Sequence, residues 1–423
     1  MTVTVKENDT LNMISERYSV PVEKLRADNG LSEKDSLVVG QSLAVAVPRE
    51  SIETMSEITA GEISENEGIP EAQLFRNNFF LKGQNSIPAE SFVVLSYEQP
   101  RLCGAVTGGY AYEYISEKRL ESVVNYLTYV MPFTYGFDER GELVFANDER
   151  VLMTAKKYGI SALMHVSTLT EDDVFDSNLP GIIFGDSTLV QRLVGNIVNN
   201  VTQKGYAGAD VDFEYLKRED RQGYVDFIRT LSEALHEVDK ILVVALPPKT
   251  SDEQRGLLYE GIDYEGIGRY ADYVLIMTYE WGYRYGPPLA VAPVYAVREV
   301  LDYAVTRIDA GKILLGISNY GYDWTLPYVR GEGEAVSIGT VEAVDIARKN
   351  RAEILFDDRA QAPYFYYTDE EEKAHVVWFE DARSFEAKAG LICEYNLAGG
   401  FVWELMRENP SGYVTLNGLL KIT

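Results

Sequence analysis

The sequence predicts an α/β protein whose main body is a (β/α)8 TIM barrel, with a small α+β insertion between strands seven and eight and two small βααβ modules ahead of it. Three observations carry that prediction. From Cys103 onward eight apolar runs read as strands: "CGAVTGGYAY", "YLTYVMPFTYGF", "ISALMHVS", "AGADVDFEYL", "ILVVALPP", "DYVLIMTYEW", "ILLGISNYGYDW" and "GGFVWEL". Most are separated by amphipathic segments such as "STLVQRLVGNIVNNVTQKG" and "GYVDFIRTLSEALHEVD", and strands alternating with helices argue for a closed parallel sheet. No Gly-rich phosphate loop follows the first run, which disfavours the rival arrangement, an open doubly wound sheet.

The first hundred residues contain an approximate repeat. "ISERYSVPVEKLRADNG" from Ile14 aligns with "ISENEGIPEAQLFRNNF" from Ile63, matching Ile14/Ile63, Pro21/Pro70, Leu25/Leu74 and Asn29/Asn78. In the first copy "TVTVKE" alternates like a strand, Asn8 or Asp9 can cap a helix from Thr10, Pro21 opens a second helix ending near Asn29-Gly30, and "SLAVAV" alternates again. The expected boundaries are residues 1–48, 49–98 for a degenerate second copy, and 99–423 for the barrel. The strand-helix-helix-strand order and the run "NDTLNMISERYSVPVEKLRADNGL" resemble the LysM domain. That resemblance implies binding of N-acetylglucosamine-containing glycans, with Asp9, Thr10 and Asn29 as contact residues.

Between the seventh and eighth runs lies an insert of about residues 325–380, with one helix-like piece, "TVEAVDIARKNR", and strand-like pieces "EILFDD", "PYFYYT" and "HVVWFE". Such an excursion beside a barrel mouth could wall a groove.

Composition narrows the partners. Hydrophobic residues make up 46% and charged residues 25%, an ordinary soluble globular balance. A formal net charge of -27 opposes binding to nucleic acid phosphates or an anionic membrane and leaves neutral or weakly charged ligands. The N-terminus lacks the basic region and apolar core of a signal peptide, and no run is long enough for a membrane span. The two cysteines, Cys103 and Cys393, lie in no CxxC pattern, so two buried thiols are expected in place of a disulfide framework or a zinc site. His165, His236 and His375 are far apart with no HExxH spacing, so structural or exposed roles are expected for them.

Within "GYAGADVDFEYL" the acids Asp210, Asp212 and Glu214 alternate with Ala209, Val211 and Phe213. Successive strand side chains point to opposite faces, so the three acids share one face, with neighbouring Cα atoms roughly 6.6 Å apart. In a barrel they face inward, with Glu214 at the C-terminal end of the strand, where barrel active sites form. Crowded inward carboxylates share protons, and at least one pKa rises toward the range of an acid that works near neutral pH. An exposed acidic edge strand or a calcium site is the bland alternative, disfavoured by the apolar alternation and the lack of a glycine-containing metal loop.

"GADVDFE" resembles the DGxDxDxE signature of glycoside hydrolase family 18, and "GGYAY", "MTYEW" and "GGFVWEL" agree with that family in order and spacing. Ala207 stands where the signature has its first aspartate, Phe213 replaces a common tryptophan, and Glu280 replaces the common aspartate after Met-Thr-Tyr. The resemblance implies a retaining, substrate-assisted glycosidase that needs no metal or cofactor. It assigns Glu214 as acid and base, Asp212 as the group that orients the substrate acetamide, Asp210 as its support and Tyr279 as a donor to the acetamide oxygen. Trp403 would floor the subsite, lined by Tyr110, Met277 and Glu280, with Trp281 a weaker candidate.

LysM modules ahead of such a barrel are most similar to the spore cortex-lytic N-acetylglucosaminidases of endospore-forming bacteria. The expectation is therefore a monomeric hydrolase of peptidoglycan in the spore coat or cortex, with the cytoplasm as the alternative location. A chitinase, or a lectin-like coat protein without activity, are the competing functions.

Overall fold

A computed structural model describes residues 1–144, 146–169 and 175–423. The apolar runs form a ring of parallel strands: Cys103–Tyr112, Tyr129–Phe133, Ser161–Ser167, Gly208–Asp212, Ile241–Leu246, Tyr273–Ile276, Ile313–Ser318 and Gly399–Trp403. The ring closes where Gly399 to Val402 pair with Val106 to Gly109 of the first strand. Alternation along each strand sorts two layers of core. Ala209 and Val211 of the fourth strand point outward into the cluster that holds Leu193, Ile197, Ile228 and Leu231 of the surrounding helices. Tyr110, Met131, Leu163, Val243, Leu275 and Phe401 point inward and fill the ring.

The helices form as their apolar spacing demands. Ser187–Lys204 carries Leu193, Ile197 and Val201 on its buried stripe, is capped by Asp186, and ends at Gly205 in the left-handed region. Arg221–His236 buries Tyr224, Phe227, Ile228, Leu231 and Leu235 in the same way. No helix among the described residues is long and apolar enough to cross a membrane.

The insert begins earlier than expected. "ILLGISNYGYDW" splits into the barrel strand Ile313–Ser318 and a second strand, Gly321–Thr325, that belongs to a separate sheet. The break falls at Asn319, whose amide donates to the carbonyls of Glu404 and Arg407 and ties the strand end to the barrel rim. The insert sheet is antiparallel, in the order Val336–Ile338, Gly321–Thr325, Ala374–Trp378, Ala362–Thr368, Leu355–Asp357, and carries the helix Thr340–Lys349.

In the first module Thr2–Thr4 pairs antiparallel with Ser42–Ala44 around helices Leu11–Tyr18 and Val22–Asp28. The N-cap is Thr10, not Asn8 or Asp9: its hydroxyl accepts from the Met13 N–H and the helix starts at Leu11. In the second, Pro48–Glu53 pairs with Phe92–Tyr97 around helices Ala60–Glu67 and Glu71–Asn77.

Neither module hangs free. The loop after the first module's second helix is clamped to the insert: Val38 enters the cluster of Ile338, Val344, Phe365 and Phe379. The Ile354 N–H donates to the Val39 carbonyl at 2.9 Å, Arg348 to that of Ser36 at 2.8 Å and Arg383 to that of Gly40 at 3.1 Å. Gly40 has φ +82° and a Cβ there would strike the Ile354 carbonyl, so this approach requires glycine. The second module meets the C-terminal helix Pro410–Leu419, where Asn417 exchanges hydrogen bonds with Gln73 and Asn77.

The expectation of two thiols is overturned: Cys103 and Cys393 form a disulfide, their Cα atoms 5.7 Å apart across a sequence separation of 290. Closure of the ring explains it. The first strand lies beside the eighth, and Cys393 sits in the last turn of the helix Ala382–Glu394 that feeds the eighth.

Candidate active site

The fourth strand delivers its acids in a row of decreasing depth. Asp210 is fully buried, Asp212 nearly so, and Glu214, just past the strand end, reaches a cavity of about 1020 Å³ at the C-terminal mouth of the barrel. Asp212, Glu214, Tyr110, Met277, Tyr279, Glu280 and Trp403 all line that cavity. Asp210 lies beneath it, where its Oδ2 accepts a hydrogen bond from the Tyr110 hydroxyl at 2.8 Å.

Burial dominates the electrostatics. It lifts Asp210 to about 6, against the hydrogen bond from Tyr110 that favours the ionised form. Burial raises Asp212 as well. Glu214 is raised first by burial and then by the charges of Asp212 and Glu280, so its carboxyl holds a proton into the neutral range. Tyr279 is pushed well above its usual phenol range by burial and these carboxylates, and stays a donor.

Tyr279 follows the sixth strand and crosses over Gly316 of the seventh. A Cβ at Gly316 would lie 2.9 Å from the Tyr279 ring and 2.6 Å from the Ile276 carbonyl, so glycine makes room for the ring. Glu280 has a left-handed backbone, φ +69°, and its Oε1 accepts from the hydroxyls of Tyr320 and, at 3.0 Å, Tyr322 of the insert. Trp403 ends the eighth strand, its ring centroid 4.9 Å from that of Phe133 and 5.3 Å from that of Tyr110. The cavity continues past Trp403 and Glu280 into an arm of about 580 Å³ walled by Tyr322 and Ser337 of the insert.

Trp281 does not line the cavity; it turns back and packs, partly buried, against the barrel core. The three module residues also have other uses. Asp9 accepts from the Lys6 N–H at 2.9 Å and from Arg17, Thr10 caps its helix, and Asn29 is buried. The Asn29 amide donates to the carbonyls of Leu25 and Ala44, and its Oδ1 accepts from the Ala44 N–H. Asn78 makes the equivalent bonds to Leu74 and Val94. The asparagines of the repeat therefore bolt helix to strand, with their polar atoms turned inward.

Sequence reasoning missed Tyr112 and Tyr114, whose rings stack 5.3 Å apart at the cavity edge, and Tyr320 and Tyr322, which hold Glu280. Both pairs carried a signal: tyrosines at alternate positions, "YAYEY" and "YGY", running off a strand end on one face.

The comparisons with known proteins agree with this geometry. The model of glycosyl hydrolases family 18 matches residues 176–408, and that of the LysM domain matches residues 3–46. The cortical fragment-lytic enzyme of Bacillus subtilis is 36% identical over 423 residues, covering 98% of this chain and 96% of the relative. The crystal structure of the Bacillus cereus spore cortex-lytic enzyme SleL superposes with TM-score 0.85 at 30% identity, covering 100% of this chain and 98% of that one. A chitinase from Chromobacterium violaceum is more distant: TM-score 0.69, 26% identity, 74% of this chain and 99% of that one.

Proposed function

The chain belongs to glycosyl hydrolases family 18, and on that premise we propose that it is a retaining glycosidase that cleaves N-acetylglucosamine linkages in spore cortex peptidoglycan or fragments of it. The observation that carries the reading is the graded row of raised carboxyls under a cavity large enough for a sugar ring and its neighbours.

Glu214, protonated at neutral pH, gives its proton to the glycosidic oxygen as the bond to C1 breaks. The carbonyl oxygen of the substrate's own 2-acetamido group attacks C1 from the other face, forming an oxazolinium ion. Asp212, ionised, faces the acetamide N–H and stabilises the positive charge that develops there. Asp210 supports Asp212 from below, and the Tyr279 hydroxyl donates to the acetamide oxygen. Glu214, now a carboxylate, takes a proton from the water that opens the oxazolinium at C1, which restores the enzyme with net retention. Trp403 supports the sugar ring, and Glu280, longer than aspartate, reaches into the subsite from the insert side.

The full-length likeness to two spore cortex enzymes, modules included, favours cortex over chitin, since the chitinase covers 74% of the chain. The reading takes peptidoglycan as partner, a monomer as working form and the spore coat or cortex as location. The first module holds glycan through groups other than the Asn29 amide. The test is a digest of purified cortex peptidoglycan analysed by mass spectrometry, with Glu214→Gln alongside. Muropeptides ending in reducing N-acetylglucosamine are expected from the wild type, and none from the variant, which still sediments with cortex. Cleavage of chitin oligomers but not cortex would replace the substrate, and full activity in Glu214→Gln would sink the mechanism.

A further inference from the structure

His165 is a buried titratable group that the mechanism above does not use. It lies on the third strand in register with Asp210, with no exposed surface. Its Nδ1 is 2.6 Å from the Thr134 hydroxyl. Its Nε2 faces the acids, 3.7 Å from Asp212 Oδ2 and 3.9 Å from Asp210 Oδ2, and has no hydrogen-bond partner among the described residues. The Oδ1 atoms of Asp210 and Asp212 also have no partner among the described residues. Three buried polar atoms left open at the base of one site are costly unless a step of the reaction closes them.

The ring is held from both sides: the Tyr110 ring meets it edge-on at 5.3 Å and Phe133 lies against it at 4.8 Å. Burial depresses the imidazole to about 4, so it is neutral at working pH and carries a single N–H. The surroundings decide which nitrogen bears it. The Thr134 hydroxyl lies 2.6 Å from Nδ1 but also 3.1 Å from the Tyr135 carbonyl and 3.1 Å from the Ser167 hydroxyl, so the acids weigh most: an Nε2 lone pair would point at two carboxyl oxygens that share negative charge, which favours the hydrogen on Nε2.

We propose that His165 is a positioning residue for the Asp210–Asp212 pair: its Nε2–H, fixed by Thr134, becomes a hydrogen-bond donor to these carboxylates and keeps Asp212 ionised while the oxazolinium forms. The inference rests on the substrate-assisted reading. A side-chain shift of less than about 1 Å brings Asp212 from 3.7 Å into hydrogen-bond range. The other titratable groups facing the pair are Tyr110 on the first strand, Glu214 beyond the fourth, Tyr279 and Glu280 beyond the sixth, and Tyr224 of the helix behind. The tyrosines are neutral and the glutamates oppose ionisation, which among the described residues leaves Tyr110 and His165 as the groups that favour it.

The test is the pH dependence of kcat and KM on cortex glycan for the full chain and for His165→Leu and His165→Gln. Loss of the donor favours the protonated pair, so His165→Leu should move the acidic limb of kcat up by about one pH unit, with kcat down about tenfold at pH 6 and KM nearly unchanged. The alkaline limb, set by Glu214, should stay. Glutamine, which keeps an N–H, should recover most of both effects. An acidic limb that does not move, or equal losses in both variants that follow their melting temperatures, would overturn the proposal. The imidazole 15N spectrum of the unmodified enzyme tests it without substitution: Nε2–H from pH 5 to 8 is expected, and Nδ1–H or an imidazolium would end it. Lack of activity in the wild type would instead count against the substrate-assisted reading, because the spectrum still reports on His165.

Discussion

The Tyr110 hydroxyl donates to Asp210 at 2.8 Å, across the barrel interior from the first strand to the fourth. Asp210 has no contact with solvent, so this phenol stands in for the water that an exposed carboxylate would have. A hydrogen bond to a charged group is worth about 1.5–3 kcal/mol. Tyr110→Phe should therefore cut kcat roughly ten- to hundredfold and move the acidic limb upward, because the lost bond favoured the ionised form. A pH–rate series on cortex fragments checks both, and an unmoved limb would show that Asp210 ionisation does not govern the rate.

Glu214 should be a liability for the fold. Its pKa is raised in the folded state, so at pH values above the unfolded carboxyl range the folded chain holds a proton that the unfolded chain has lost. Stability from this group is full at low pH and falls as pH rises toward the folded pKa. Glu214→Gln removes the titration, so its melting temperature should exceed the wild type's by about 1–3 °C at pH 8 and match it at pH 5. Calorimetry at the two pH values decides it.

Gly316 sets the position of Tyr279 through the space it leaves. Gly316→Ala adds a methyl 2.9 Å from the ring and 2.6 Å from a backbone carbonyl, so ring and strand must shift. Overpacking of this kind costs about 1–3 kcal/mol. The expected signature is a kcat loss of about tenfold or more, with melting lowered by only a few degrees. Unchanged kcat would release Tyr279 from its proposed role.

Asn29 and Asn78 make the same three bonds in their two modules, so substituting either by alanine should destabilise its module by about 2–3 kcal/mol. Hydrogen exchange at Ala44 and Val94 should rise in the respective variants. Turnover of small soluble fragments should hold, because neither residue touches the cavity.

Much of this was legible because periodicity is a local property. The barrel strands and the row Asp210, Asp212, Glu214 follow from alternation within a few residues, and the repeat follows from pairs such as Leu25 and Leu74. What was missed depends on closure or on backbone direction. Cys103 and Cys393 meet only because the eighth strand lies beside the first, and no spacing rule spans 290 residues. Trp281 leaves the site because Glu280 before it takes a left-handed backbone and the next residue turns inward. A polar residue such as Asn29 reads alike from sequence whether its amide faces a sugar or the chain's own carbonyls.

The clamp on Val38 changes what a carbohydrate module can do for this barrel. On a flexible tether such a module raises the local concentration of substrate over a volume set by the linker. Here Val38 and Ser36 are held by the insert that also walls the groove, and Gly40 by Arg383 of the helix that feeds the eighth strand, so the module is fixed to the cleft at several points. A glycan held by the module would meet the catalytic acid at one fixed separation along its length, as if measured by a caliper.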